Sequence, residues 1–378
     1  MKTFYQFFGI FLIMSVLFSA CETTDDPQPD PSGSEYSLGW TGDDDVTTIP
    51  TTVDYGFGSG NLPPSVDLVP KFPPIGNQGA YGTCVAWAIG YSTKTAVNGM
   101  ANGYSASDLS SPSKQFSPKD LYIAISDNDK GDGTDLCKGT GFTIALDVLQ
   151  SRGVATLATV PYDNLGNCSQ SNLDASWATE ANQNKIKYYR RIDPTVTSIK
   201  ENLANNVPVI LGGKLADNFM SWNSDDVMSS NTTYDRVGIH AYHAMVIAGY
   251  DDNRGPNGAF KVINSWGPGW GNNGTIWIDY NFMISEFCSK FQSGRPLFIM
   301  ANEDGNINPP DEPDPNVTGV DLVPWAFSDV SIDDWNAQRE ITFNIYNIGN
   351  QTASPSDNWS YVYLYYNAFN ADDYGVLF

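Results

Sequence analysis

Basic residues and histidine are scarce in this chain. It has 20 Lys and Arg against 43 Asp and Glu, a formal net charge of −23, and only 2 His. A chain this acidic is repelled by nucleic acid and by anionic lipid, which excludes both as general partners. The 34 Gly and 23 Pro follow no three-residue period, which excludes collagen.

The remaining composition is that of a folding chain. Hydrophobic residues make up 41% and charged residues 17%, which excludes a wholly disordered protein. A length of 378 residues predicts two or three domains.

The first segment has the pattern of an export signal. Lys2 precedes an apolar run, Phe4 to Leu17, which is too short to span a bilayer comfortably. Ser19-Ala20-Cys21 then resembles the lipobox of bacterial lipoproteins, although Phe18 replaces the usual Leu. We expect a signal peptide over residues 1–21, lipidation of Cys21, and a protein anchored to the bacterial outer membrane or cell surface. An ordinary secretory signal cut near Ala20 is the alternative.

Residues 22–62 are polar and rich in Asp, Gly, Ser and Pro, with no apolar periodicity. This composition predicts an acidic, flexible tether.

Cys84 is the first candidate for chemistry. It follows a loop marked by Gly79 and Gly82 and begins a stretch with helical apolar spacing. A helix N-terminus favours an anion, so we expect it to lower the pKa of the thiol. The amide of Gln78 and the backbone N–H of Cys84 would form an oxyanion hole. A lone cysteine would more often be a small buried hydrophobe.

Two later segments complete the pattern. His243 begins an apolar run, residues 243–250, that reads as a buried strand, where a single histidine could equally be a satisfied core residue. Asn264-Ser265-Trp266-Gly267 follows, and residues 274–278 read as the next strand.

Taken in this order, the three segments resemble the papain-like cysteine peptidases over roughly residues 63–300. The resemblance implies an α+β fold of two lobes, one helical and one an antiparallel β lobe. It makes Cys84 the nucleophile and His243 the base. Asn264 would orient the histidine, Gln78 would donate to the oxyanion, and Trp266 would shield the Asn–His hydrogen bond.

The resemblance also extends to subsites and control. Phe142, Tyr242 and Trp266 would contact substrate, the first two in the pocket for the second residue before the scissile bond. His240 fits no role beyond a surface or subsite residue. Tyr81 and Val85 replace a family Cys and Trp. No helical inhibitory propeptide precedes Pro63, so the usual zymogen control is absent or supplied differently.

The remaining cysteines are assigned through the family. A bridge is usual where Cys137 and Cys168 lie, so we expect that disulfide, with Cys288 free and buried. No cofactor and no metal is expected. The acidic stretch 126–135 has the wrong spacing for an EF-hand and reads as a solvated loop.

The end of the chain has a different pattern. A Pro- and Asp-rich linker is expected over 301–316. Residues 317–378 alternate at period two and resemble part of an immunoglobulin-like domain of the CARDB adhesion type. That segment suggests a surface or adhesion partner.

These features predict an exported cysteine endopeptidase that hydrolyses protein or peptide substrates through a Cys-His-Asn triad and a thioester intermediate. An amidase, aminopeptidase or transpeptidase on the same scaffold is one alternative. A catalytically inert adhesion protein is the other.

Overall fold

The structure is a computed structural model. It describes residues 37–42, 44–47, 49–51, 62–238, 241–288 and 294–302, with four short strands further along the chain. The predicted signal peptide, Cys21, His240 and most of the linker and tail lie outside the described residues.

Helices dominate the first half of the folded region. The helix that begins at the candidate nucleophile is α1 (Cys84–Ala86), which continues as a π-helix (Trp87–Lys94) and then as α2 (Thr95–Ala101). The other helices are α3 (Ala106–Leu109), α4 (Pro118–Ala124), α5 (Phe142–Ser151), α6 (Trp177–Ala181), α7 (Val196–Ala204), α8 (Asp217–Met220) and α9 (Tyr280–Phe282). Short 3-10 turns cover Val69–Lys71, Asp127–Asp129 and Gln170–Asn172, and a second π-helix covers Met283–Phe287.

Local sequence explains where several helices begin. Ser117 precedes α4 and accepts a hydrogen bond from the Asp120 N–H, while Pro118 occupies the first turn, where its missing N–H costs nothing. Thr195 caps α7 in the same way, through the Ser198 N–H. Among the described residues, no helix combines the length and apolar character that crossing a membrane requires.

Strands dominate the second half and form one eight-stranded sheet. Its members are β1 (Ser65–Asp67), β2 (Ile186–Arg191), β3 (Val209–Lys214), β4 (Val227–Met228), β5 (Tyr242–Asp251), β6 (Ala259–Ile263), β7 (Thr275–Asp279) and β8 (Leu297–Asn302). The order is β2-β8-β3-β5-β6-β7-β4, with β1 also paired to β5. All pairs are antiparallel except β4 with β7.

The long central strand β5 positions the site. Residues His243 to Tyr250 are buried, as an unbroken apolar run predicts for a strand covered on both faces. The N-terminal end of α1 lies against it, since the Ala244 N–H donates to the Cys84 sulfur at 3.4 Å. Helical and β parts therefore meet at Cys84 and His243.

Part of the predicted tether is packed against this fold, which corrects the prediction of a free segment over 22–62. We call its described residues, 37–42, 44–47 and 49–51, the strap. Trp40, Val46 and Ile49 are buried in the hydrophobic core. Their burial could not be predicted from apolar periodicity, because each is an isolated apolar residue in a polar stretch.

The structure joins Cys137 to Cys168 by a disulfide and leaves Cys84 and Cys288 as free, buried thiols. In the tail, β9 (Leu322–Trp325) pairs with β10 (Asn344–Asn347), and β11 (Tyr363–Leu364) pairs with β12 (Val376–Leu377), both antiparallel. The immunoglobulin-like assignment of 317–378 otherwise lies outside the described residues and stays a prediction.

Candidate active site

The loop before α1 is shaped by two glycines. Gly79 has a φ of 61°, in the left-handed region that glycine adopts without strain. A Cβ on Gly82 would lie 2.6 Å from the Cys137 carbonyl oxygen, and the Gly82 N–H donates to that oxygen at 2.7 Å. These contacts bring the loop tightly against residue 137 and fix where α1 begins.

A half-buried tyrosine holds both ends of the same loop. The Tyr162 hydroxyl donates to the Gln78 carbonyl oxygen at 2.9 Å and lies 2.7 Å from the Thr83 hydroxyl. Because its single hydrogen is used on Gln78, it accepts from Thr83. Tyr162 thereby fixes the separation of Gln78 and the start of α1.

A hydrogen bond to its amide oxygen orients the Gln78 side chain. Its Oε1 accepts from the Ser265 hydroxyl at 2.7 Å, so its Nε2 faces the opposite way. That nitrogen donates to the Tyr81 carbonyl and to the Ser37 carbonyl of the strap, both at 3.0 Å. The amide nitrogen is therefore held in an orientation from which it donates to carbonyl oxygens.

The imidazole of His243 has a defined tautomer. Its Nε2 lies 2.7 Å from the Asn264 Oδ1, and the Ser265 N–H donates to the same Oδ1 at 2.7 Å. Since the backbone N–H identifies that atom as the amide oxygen, Nε2 must carry the proton. Nδ1 then holds the lone pair, and it has no hydrogen-bond partner among the described residues.

Trp266 covers this pair. Its ring centroid lies 4.7 Å from that of His243 at an interplanar angle of 35°, and both side chains are buried. The indole lies beside the His243–Asn264 hydrogen bond, and its predicted role of shielding that bond from water stays a prediction. Its Nε1 donates to the Ser37 carbonyl at 3.2 Å.

The buried state determines the protonation of the thiol and the imidazole. Burial raises the pKa of the Cys84 thiol to about 12, although backbone hydrogen bonds from Ala244, Val85, Cys84 and Gly39 oppose it. Burial also lowers the pKa of His243 to about 4, against the hydrogen bond to Asn264. Both groups are neutral at pH 7 in this structure. The lowered thiol pKa expected from the helix N-terminus is wrong for this covered state, because desolvation outweighs the N–H groups.

The predicted subsite residues meet around Trp40. The Trp40 ring lies 5.1 Å from Phe142 and 5.5 Å from Tyr242, measured between centroids. Phe142 also packs on Phe298 of β8 at 5.5 Å. The two predicted subsite residues thus belong to one aromatic cluster with Trp40 of the strap, and their contact with substrate stays a prediction.

Sequence reasoning missed three residues at this site. Ser265 orients Gln78, and its place between Asn264 and Trp266 was a usable signal. Tyr162 ties the loop across 84 residues of chain and gives no local sign. Trp40 is a lone aromatic in a polar stretch.

The acidic stretch 126–135 binds its own backbone. Asp132 accepts from the N–H groups of Thr134 and Asp135, and hydrogen bonds from Thr134 hold the pKa of that carboxyl well below its usual range. Within the described residues, no group of three or more His, Cys, Asp or Glu is placed to hold a metal ion.

Comparison with known proteins decides the family. The family model described as "Papain family cysteine protease" matches residues 62–290, which are more than half of the chain. The chain belongs to the papain family of cysteine proteases. Cys84, His243, Asn264 and Gln78 all lie inside the matched range.

Its relatives include viral and plant proteins. An uncharacterized peptidase C1-like protein of Acanthamoeba polyphaga mimivirus is 25% identical over 222 residues, which are 56% of this chain and 65% of that protein. Chymopapain of Carica papaya is 31% identical over 222 residues, 57% of this chain and 54% of chymopapain. The chain therefore spans less than two thirds of the length of these relatives.

A solved structure shares the fold. Xylellain, a cysteine protease from Xylella fastidiosa, superposes with a TM-score of 0.58 at 20% identity, covering 71% of this chain and 97% of xylellain. The papain-like α+β fold predicted from the sequence is confirmed.

Proposed function

We propose that this chain is an exported cysteine endopeptidase that hydrolyses peptide bonds through a thioester on Cys84. The observation that carries the proposal is the defined tautomer of His243, whose Nε2–H is held by Asn264 at 2.7 Å. A lone pair on Nδ1 is what a base needs beside a thiol. The papain-family membership of residues 62–290 supports the same chemistry.

The first step is attack on the amide carbonyl. His243 Nδ1 takes the Cys84 proton, and the thiolate adds to the carbonyl carbon, forming the C–S bond while the C=O π electrons move to oxygen. The Gln78 Nε2–H and the Cys84 N–H donate to this oxyanion. The orientation of Gln78 by Ser265 at 2.7 Å supports that role, because a preorganised donor costs little reorganisation during reaction.

The second half of the reaction releases both products. The C–N bond breaks as His243 returns its proton to the leaving amine, which leaves a thioester on Cys84. Water then adds to the thioester carbon as His243 accepts one of its protons. The C–S bond breaks to release the acid, and His243 returns the proton to the Cys84 sulfur, which restores the thiol. Asn264 keeps the imidazole oriented throughout.

Substrate choice would be set by the aromatic pocket. Phe142 and Tyr242 line it, and the seat that they give Trp40, with centroids 5.1 and 5.5 Å away, supports a preference for a bulky aromatic side chain. In a substrate this would be the second residue before the scissile bond. Trp266 would border the bound peptide near the imidazole.

The test is a peptide library incubated under reducing conditions, followed by fragment sequencing. Because the strap covers the thiol, the full chain carrying Gly39→Ala is assayed beside the wild type. A Cβ on Gly39 would lie 2.1 Å from the Gly82 carbonyl oxygen, so this change displaces the strap. The inactive control carries Cys84→Ala together with Gly39→Ala. We expect new termini inside the peptides, with aromatic residues two positions before the cut. Release of single N-terminal residues, ligated products, or cleavage that persists in Cys84→Ala would each contradict an endopeptidase that uses this thiol.

The cellular setting is part of the proposal. We propose export and lipidation at Cys21, and the Cys137–Cys168 disulfide supports an oxidising compartment. Membrane fractionation of a Cys21→Ser chain tests the anchor. A surface or adhesion partner for residues 317–378 is proposed from their β alternation, and pull-down of envelope components with and without that segment tests it.

A further inference from the structure

Thr83 stands at the N-cap of α1 but does not cap the helix. A threonine in this position usually accepts a hydrogen bond from a backbone N–H of the first turn. The Thr83 side chain accepts no such bond, although the residue is fully buried. Its hydroxyl donates instead to the Tyr162 hydroxyl, at 2.7 Å. The residue next to the nucleophile is therefore tied to a distant part of the chain rather than to its own helix.

The Tyr162 hydroxyl joins the two backbone segments that carry the oxyanion donors. It donates to the Gln78 carbonyl oxygen at 2.9 Å and accepts from Thr83. Gln78 carries the side-chain donor, and Thr83 shares a peptide unit with the Cys84 N–H, which is the other donor. Because both N–H groups must reach the same oxyanion, the distance between them matters for catalysis. One hydroxyl group bridges that distance.

Ser265 holds Gln78 from a different side. The Gln78 N–H donates to the Ser265 carbonyl at 2.9 Å, and the Ser265 hydroxyl donates to the Gln78 Oε1 at 2.7 Å. These bonds relate Gln78 to the neighbouring Asn264 and so to the imidazole. The bond from Tyr162 relates Gln78 to the nucleophile, so the two residues fix different distances.

The ring of Tyr162 is packed in a way that gives its hydroxyl a fixed place. Its centroid lies 4.8 Å from that of Trp87 at an interplanar angle of 71°, and 6.5 Å from that of Tyr81 at 87°. Both are edge-to-face contacts, which aromatic rings favour. Trp87 is itself fixed over Gly76, because a Cβ there would lie 1.9 Å from the indole. The hydroxyl therefore has a rigid support, as a group that positions others needs.

Tyr81 connects the same two segments a second time. It stands where the family usually has a cysteine, so a disulfide cannot form at this position. Its hydroxyl lies 3.3 Å from the Asn164 Oδ1, to which it donates, and it accepts from the Leu165 N–H at 3.4 Å. The loop before the nucleophile is thus held to residues 162–165 by the hydroxyl groups of two tyrosines.

The Cys137–Cys168 disulfide fixes the far end of that segment. The Cys137 carbonyl accepts from the Gly82 N–H at 2.7 Å, so the bridge is linked to the loop before the nucleophile as well. Tyr162 is therefore anchored on a part of the chain that is itself attached to this loop.

We propose that Tyr162 is a positioning residue of the oxyanion hole, whose hydroxyl sets the distance between the Gln78 amide and the Cys84 N–H. It acts through Gln78 and Thr83 and takes no part in proton transfer. Without the hydroxyl both donors remain, but they are no longer held for one oxygen atom. This rests on the proposed function, since it deepens the role of the same site.

The test compares variants of the full chain that already carries Gly39→Ala, so that the strap does not block the site. We call this chain the parent. Tyr162→Phe removes the hydroxyl and keeps the ring. Thr83→Val removes the other hydroxyl and keeps a β-branched side chain, whereas Thr83→Ser keeps the donor. Circular dichroism and thermal melting check that each variant folds.

Tyr91→Phe is the matched control. The Tyr91 hydroxyl also donates to a backbone carbonyl, that of Pro74 at 2.7 Å. Its ring also packs on Trp87, with centroids 4.7 Å apart. This change therefore removes the same chemical group from the same aromatic cluster without touching the segments that carry the oxyanion donors.

The first readout is peptide hydrolysis. Tyr162→Phe should lower kcat about 10-fold with KM little changed, a loss between that of one neutral hydrogen bond and that of a whole oxyanion donor. Thr83→Val should act in the same direction, while Thr83→Ser and Tyr91→Phe should stay within about 2-fold of the parent. Alkylation of Cys84 by iodoacetamide should be nearly unchanged in all four, because that reaction forms no oxyanion.

A double-mutant cycle with Gln78→Ala separates positioning from a general loss of structure. Once the Gln78 amide is absent, Tyr162→Phe should slow hydrolysis by less than about 3-fold, because the hydroxyl has no amide left to position. A merely structural role predicts an equal loss with and without Gln78, and that result overturns the proposal. Hydrolysis by Tyr162→Phe at the rate of the parent overturns it as well.

Acylation by p-nitrophenyl acetate tests the proposal independently of peptide cleavage, with Cys84→Ala in the parent as the background. The thiol sulfur bonds to the acetyl carbon through an oxyanion, its proton passes to His243, and the C–O bond breaks to release p-nitrophenolate.

The two substrates together distinguish this proposal from the proposed function. Slower acylation in Tyr162→Phe that depends on Gln78, with no peptide hydrolysis by any variant, supports the positioning role and refutes the peptidase. Peptide hydrolysis by the parent, with both reactions unaffected by Tyr162→Phe, supports the peptidase and refutes the positioning role. Absence of Cys84 acylation in every variant refutes both.

Discussion

At the scale of single residues, a change at Gln78 distinguishes the reactivity of the Cys84 thiol from the rate of peptide hydrolysis. Its Nε2–H serves the oxyanion, which exists only after the thiolate has attacked. Gln78→Ala, introduced together with Gly39→Ala to open the site, should therefore slow peptide hydrolysis by roughly 10²–10³. Alkylation of Cys84 should stay nearly unchanged, because no oxyanion forms in that reaction. Steady-state kinetics and iodoacetamide kinetics on one preparation measure both effects.

Gln183→Ala is the matched control, since Gln183 is an exposed glutamine near the end of α6. If Gln78→Ala lowered both rates equally, its role would be structural. Removing the Ser265 hydroxyl should slow peptide hydrolysis by about 5-fold and leave alkylation of Cys84 nearly unchanged. The effect is smaller because only one neutral hydrogen bond that orients the Gln78 amide is lost.

His243 predicts a particular dependence of stability on pH. Burial lowers its pKa to about 4 from 6.5, so the folded state resists protonation. As pH falls below 6.5, the unfolded chain binds the proton first, and the free energy of unfolding therefore decreases until pH reaches about 4. The loss attributable to this one group is about 3 kcal/mol, at 1.36 kcal/mol per pKa unit. Urea unfolding of the wild type and of His243→Gln between pH 7 and pH 4 measures it.

We expect the wild type to lose more stability than His243→Gln over this range, because glutamine does not titrate. The acidic residues contribute equally to both chains and cancel in the comparison. His240→Gln controls for loss of the other imidazole. Parallel profiles for the wild type and His243→Gln would refute a buried, neutral His243.

At the scale of elements, the disulfide ties the loop that borders the nucleophile. Cys137 and Cys168 are 31 residues apart, and closing a loop of that length stabilises a fold by about 2–4 kcal/mol. The double change Cys137→Ser and Cys168→Ser should lower the free energy of unfolding by that amount. Denaturant unfolding checks the loss, and alkylation without reductant should leave both cysteines protected in the wild type. Adding reductant should destabilise the wild type but not the double variant, and an equal response would contradict the bridge.

The elements that carry the motif could be predicted from sequence because their signals are local. Two glycines followed by helical apolar spacing predict α1 after its loop. An unbroken apolar run predicts β5, with His243 near its start. Each of these depends on residues within about ten positions of one another.

Other features depend on distant contacts and gave no such signal. The π-helix Trp87–Lys94 interrupts a segment whose sequence looks uniformly helical. The bond from Tyr162 to Gln78 joins residues 84 positions apart. Trp40 is packed against Gly212 and Phe142, which lie far from it along the chain. The prediction of a lowered pKa for the Cys84 thiol is wrong for the same reason. The residues next to Cys84 in the sequence do not indicate that a distant segment buries it.

At the scale of the whole molecule, net charge bears on how the protein would be held at a membrane. A net charge of −23 repels the chain from anionic lipid, so retention would depend on the acyl chains at Cys21 rather than on electrostatics. Cys21→Ser should move the protein from the membrane pellet to the supernatant, and the wild type should stay in the pellet at both low and high salt. A mutant that remains in the pellet, or a wild type released by salt, would refute the lipid anchor.

The strap and the thiol that it covers belong to one polypeptide, joined through residues 52–61. Dilution therefore does not separate them, and the strap is present beside the thiol at a local concentration that does not depend on the concentration of the protein. A substrate well below that concentration competes only if its intrinsic affinity is much greater than that of the strap. The chain would then respond to how crowded its surroundings are with cleavable peptide, staying closed in dilute medium and opening where substrate accumulates.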